Sequence, residues 1–178
     1  FIKIIFSGVY MIKDTDINYH TPPKVPFDWA ETSYFYCYVP EANLMAWVYI
    51  IARPGVGAMV ADIQFQGDMS TNPLDSWYTD IQQHLPLPEK FDNFSLPNGL
   101  QFKASDLRNY RLDYNGGGGA ELHVDIKSLM EPFDINDKTM DPLAVEQPND
   151  GEVKKGFWAG YSNHFDMTVK VTGSLKVR

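Results

Sequence analysis

Two short stretches have residue types and spacing that could do chemistry: His123-Val124-Asp125 and His164-Phe165-Asp166. In an extended chain, residues i and i+2 share a face, so each stretch sets an imidazole beside a carboxylate. Such a pair can move protons, and two pairs together could hold zinc or iron. The chain has four histidines and no diagnostic metal-ligand spacing. A cupin-like metal enzyme is therefore an alternative reading, and no residue is assigned as a metal ligand. Glu121, His123 and Asp125 share one face, with Arg111 and Asp113 on the preceding segment. If that face lined an interior, a desolvated carboxylate could serve as an acid or base. If it faced outward, the same residues would form cross-strand ion pairs. Leu122, Val124 and Ile126 alternate with them and must meet a core, which favours the outward reading.

Other chemistry finds less support. Gly-x-Ser-x-Gly, Cys-x-x-Cys and His-Glu-x-x-His are absent. Cys37 is the one cysteine, inside Tyr34-Phe35-Tyr36-Cys37-Tyr38. A lone thiol in an apolar run with no base beside it reads as a small buried hydrophobe. It also favours a reducing, cytoplasmic location. Four glycines, residues 116–119, could suggest a phosphate cradle. No helix pattern and no Lys-Ser/Thr pair follows them, so they read as a turn.

Composition narrows the class. The chain has 178 residues, a formal net charge of −8 and 14% aromatic residues. That length suits a domain of ordinary size. The acidic balance argues against nucleic acid as a partner and against an anionic membrane surface. No stretch reaches the roughly 18 apolar residues of a membrane span. Rings in such number suit pleated surfaces and apolar ligand pockets.

The elements that must position these residues are mostly strands. Residues 1–30 read as an extended lead-in with Pro22, Pro23 and Pro26, and residues 31–178 as a single β domain. Strands are expected at 32–39 and 44–52, the second buried on both faces because it is almost continuously apolar. After the turn at Arg53-Pro54-Gly55, Met59, Ala61, Ile63 and Phe65 alternate with Val60, Asp62, Gln64 and Gln66 in a half-buried strand. A short helix is possible from Leu74 to His84, and a strand is expected at 100–104. Residues 108–127 read as a hairpin around the glycine turn. Residues 131–163 form a long Pro/Asp/Asn-rich loop, a candidate lid. The last strand, from Met167 to Val177, is interrupted by Gly173, which marks a bulge or bend. Antiparallel strands in this number with little helix imply an all-β barrel or sandwich. The missing initiator Met and the uncapped last strand read as signs of a longer natural chain.

Several segments, in order, resemble proteins of the hydroxyneurosporene synthase (carotenoid hydratase) superfamily. They are Glu31-Thr32-Ser33-Tyr34-Phe35, Leu107-Arg108-Asn109-Tyr110-Arg111-Leu112-Asp113-Tyr114, Glu131-Pro132-Phe133-Asp134, His164-Phe165-Asp166 and Val171-Thr172-Gly173-Ser174-Leu175. The resemblance implies an antiparallel lipocalin-like barrel or strongly curved sheet. It implies the N-terminal half of a two-domain protein, because the Arg-Asp-His-Ser-Trp-Gly-like motif of the second half has no counterpart here. The expected ligand is a bulky apolar molecule such as an isoprenoid, polyketide or steroid. The expected chemistry is binding, hydration or cyclisation without a cofactor. Glu31, His164 and Asp166 are the positions carried over as candidate catalytic residues, and Trp29, Tyr34, Tyr36, Trp47 and Tyr110 are the candidate ligand contacts. A carbohydrate-binding sandwich that stacks sugar rings on Trp29, Trp47, Trp77 or Trp158 is the other alternative.

Overall fold

A computed structural model describes residues 12–68, 72, 75–134 and 164–177. Period-2 hydrophobicity builds the strands of two antiparallel sheets. Sheet A is a meander of β1 (Glu31–Val39), β2 (Leu44–Arg53), β3 (Ala58–Gly67) and β4 (Ser76–Pro86). Sheet B takes β5 (Asn93–Ser95), β6 (Leu100–Asp106), β7 (Asn109–Asn115), β8 (Glu121–Ser128) and β11 (Val169–Lys176), in the order β11-β8-β7-β6-β5. A third, two-stranded sheet pairs β9 (Phe133–Asp134) with β10 (Phe165–Asp166). The described strands do not close into a barrel. Of the forms expected, a sandwich of two packed antiparallel sheets is the one built.

The core fills the space between sheets A and B. Ala46, Val48, Ile50, Ile63 and Phe65 come from one side, and Leu100, Leu112, Leu122, Val124 and Ile126 from the other. Rings bridge the layers: Phe35 of β1 packs against Phe102 of β6 and Tyr110 of β7, each with centroids 5.5 Å apart. Burying a side chain of this size contributes about 1.5–3 kcal/mol, and among the described residues these side chains form one packed core between the sheets. Cys37 joins this core from β1, and burial pushes its thiol pKa up, as a structural cysteine requires.

The lead-in folds back over sheet B. Its 3-10 turn, Asp14–Ile17, caps the backbone N–H of Leu107 through Asp14. Tyr19 stacks on Phe91 at 5.2 Å and donates to the carbonyl of Pro88.

Three expectations change. In the segment where the sequence allows a helix, residues 76–84 belong to strand β4. Trp77, Thr79 and Ile81 alternate with the more buried Tyr78 and Asp80, and this period-2 burial outweighs the weak helical pattern. Strand β2 is fully buried on one face only; its other face is half-buried and aromatic. Gly173 makes no bulge, since β11 pairs with β8 in unbroken register. It is glycine because a Cβ there would strike the backbone of His123 and Val124. Among the described residues, no helix is long and apolar enough to cross a membrane. Most of the predicted long loop, residues 135–163, lies outside the described residues, as does Trp158.

Candidate functional site

The outer face of sheet A gathers exposed aromatic side chains. Strand alternation points Phe35 and Cys37 inward, and it points Tyr34, Tyr36 and Tyr38 outward. On β2 the same alternation turns Met45, Trp47, Tyr49, Ile51 and Arg53 out. Register aligns these residues into rows across the sheet. Tyr34 lies opposite Tyr49, which lies opposite Asp62 and then Ile81. Tyr36 lies opposite Trp47, followed by Gln64 and Thr79.

The rings touch. Tyr34 meets Tyr49 edge-on at 5.6 Å and Tyr36 at 5.6 Å. Tyr38 donates to Asn43 Oδ1 at 2.8 Å, which holds it at the end of the row. Despite these contacts, Tyr34, Tyr36 and Tyr38 remain 52%, 64% and 48% exposed. Polar groups sit among the rings. Gln64 is buried and donates to Asp62 Oδ1 at 2.9 Å. Partial burial, with Tyr36 and Asp62 adding to it, raises the pKa of Tyr34, so its hydroxyl remains a donor at neutral pH.

Tyr34, Tyr36 and Trp47 thus share one face. Tyr110 and Trp29 are placed elsewhere. Tyr110 is buried in the core, where its hydroxyl donates to the Leu107 carbonyl and its pKa is raised by burial. Trp29 belongs to the lead-in, and its indole donates to Glu31 Oε1 at 3.0 Å.

Of the three candidate catalytic residues, Glu31 opens β1, whereas His164 and Asp166 lie at the small two-stranded sheet. The Glu31 carboxylate accepts from Trp29, from Thr21 Oγ1 at 2.7 Å and from the backbone N–H of His20 at 2.7 Å. It pins the lead-in to the start of β1. His164 Nε2 and Asp166 Oδ1 lie 3.2 Å apart on the small sheet, with Asp166 largely exposed. Among the described residues, the hydrogen bonds of Glu31 go to the lead-in and not to this pair.

The other imidazole–carboxylate stretch faces outward on sheet B. His123 Nδ1 lies 2.8 Å from Asp113 Oδ1, and Arg111 bridges Asp113 and Asp125. The guanidinium, with help from His123, holds the Asp113 carboxyl below the usual range. This is the cross-strand ion-pair arrangement. Among the described residues, no three of His, Cys, Asp and Glu come close enough to hold a metal ion.

Sequence reasoning did not select Tyr49 or Tyr38. Their signal was available: both share the parity of Trp47 or Tyr34 within strands of settled phase.

No curated protein and no solved structure matches the chain. Residues 13–178 match the family described as a domain of unknown function, DUF7064, and the chain belongs to that family.

Proposed function

We propose that this domain binds a bulky, largely apolar small molecule on the outer face of sheet A. The observation that carries the reading is the open cluster of Tyr34, Tyr36 and Tyr49, backed by Trp47. Large exposed aromatic patches are uncommon on a solvated surface and mark binding sites. Rings whose bodies are held by neighbours lose little freedom when a ligand covers them. Among the described residues, packed side chains fill the space between the sheets. The resemblance to proteins acting on isoprenoids and related molecules supports the ligand class. Glu31 acts in this reading as an anchor for the lead-in.

A second reading, a carbohydrate-binding sandwich, is favoured by the Asp62–Gln64 pair beside the rings. Sugars need stacking surfaces and hydrogen-bond partners together. Titration with retinol and, separately, with a series of oligosaccharides tests both readings. Saturable quenching of tryptophan emission by retinol, weakened by Tyr36→Ala, supports the first. Quenching by oligosaccharide alone replaces it with the second.

A further inference from the structure

The outer side of β2 reads Met45, Trp47, Tyr49, Ile51, Arg53: apolar and aromatic side chains, then a cation. At the Arg53 end, the face runs into an open depression of about 470 Å³. Ile51, Val56, Ala58 and Val60 give it an apolar floor. Arg53 and His84 line it, and Asp28 is the one carboxylate of the lining. The depression is continuous with the tyrosine face, because Ile51 stands opposite Thr32 and Val60, one row beyond Tyr34, Tyr49 and Asp62. From Tyr49 to Arg53 is about 13 Å along the strand.

Arg53 is unusual among the described arginines. Arg108 pairs with Glu131, and Arg111 pairs with Asp113 and Asp125. Arg53 is half-buried, yet its guanidinium makes no hydrogen bond or ion pair among the described residues. This occurs in a chain with 23 acidic and 15 basic residues. A guanidinium presents a planar fork of donors that matches a carboxylate. Left unpaired beside an apolar floor, it is a prepared anion contact.

We propose that this depression receives the carboxylate head of an amphipathic ligand whose apolar body lies on the tyrosine face. The inference rests on the binding face proposed above. Asp28 is exposed, so water and salt screen its repulsion, whereas the ligand carboxylate meets Arg53 at contact distance.

Retinol, retinoic acid and methyl retinoate share one skeleton and differ in the head group. Their dissociation constants for the full chain, read by tryptophan quenching at low salt, test the proposal. Retinoic acid is expected to bind about ten-fold tighter than the alcohol or the ester. Arg53→Gln is expected to erase that preference, and Arg53→Lys to restore part of it. The ester comparison needs no variant, so it decides the matter even if a substitution fails to fold. Equal affinities for acid and ester in the unaltered protein, or a preference that survives Arg53→Gln, would overturn this inference and leave the binding face standing. If none of the three binds, both fall.

Discussion

The hydroxyl oxygens of Tyr78 and Tyr114 lie 2.5 Å apart, one from each sheet of the sandwich. Tyr114 donates its proton to Asp80 Oδ2 at 2.8 Å, so Tyr78 must donate to Tyr114. Asn98 adds a bond to the same carboxylate oxygen. The chain of bonds ties β4 to β7 where the glycine turn closes the hairpin. Gly116 makes room for it, since a Cβ there would run into both hydroxyls. Tyr114→Phe breaks two of these bonds in a buried setting and should lower stability by about 2 kcal/mol. Gly116→Ala should destabilise too, by overpacking the same spot. Urea denaturation midpoints check both.

High pH should unfold the protein through its tyrosines. Burial and then Glu31 push Tyr19 up to about 12. Burial, with hydrogen bonds to Tyr78 and Asp80, raises Tyr114 further, and burial raises Tyr110. In the unfolded chain these groups ionise near pH 10. Their folded pKa values are higher, so the native state keeps protons that the unfolded state loses. The stabilisation is whole below about pH 10 and declines as pH rises beyond it. Melting temperatures measured from pH 8 to pH 12 should fall above about pH 10. A flat profile would contradict these assignments.

Glu31 should matter for stability. Glu31→Ala removes the acceptor for Trp29, Thr21 and His20 together. A loss of about 2 kcal/mol is expected, with a red shift of Trp29 emission as the lead-in loosens. Emission spectra and thermal unfolding of the variant measure both effects.

Tyr36 should show the opposite profile. It is largely exposed, so Tyr36→Ala should change stability by less than about 0.5 kcal/mol. It removes an aromatic contact surface, so retinol affinity should drop about five-fold or more. Calorimetric melting and a retinol titration of the same preparation separate the two quantities.

Much of the sandwich was legible because period-2 alternation is local. Met59, Ala61, Ile63 and Phe65 declared the inner face of β3, and the hairpin of β7 and β8 followed from alternation around a glycine turn. The outward fate of His123 and Asp125 followed from the same logic. Strand β4 was missed because Pro86 and Pro88 suggested a broken segment, whereas Pro86 is only its last residue. The aromatic face was half legible. Tyr34, Tyr36 and Trp47 could be named, but their meeting depends on the antiparallel register of β1 and β2, which no single segment contains. Tyr110 looked like a ligand contact for the same reason it is a core residue: an aromatic ring on an alternating strand serves either side. The i, i+2 spacing of His164 and Asp166 announced their contact, whereas the bonds by which Glu31 ties down the lead-in depend on a chain reversal that its own motif does not encode.

The central claim is that ligand is held on the outer face of sheet A and not between the sheets. Amide and aromatic chemical shifts followed by NMR during a retinol titration test it most directly. The account predicts saturable shifts centred on Tyr34, Tyr36, Trp47 and Tyr49, with Ile63, Leu112 and Val124 unmoved. Shifts concentrated on those core residues, or none that saturate, would contradict it.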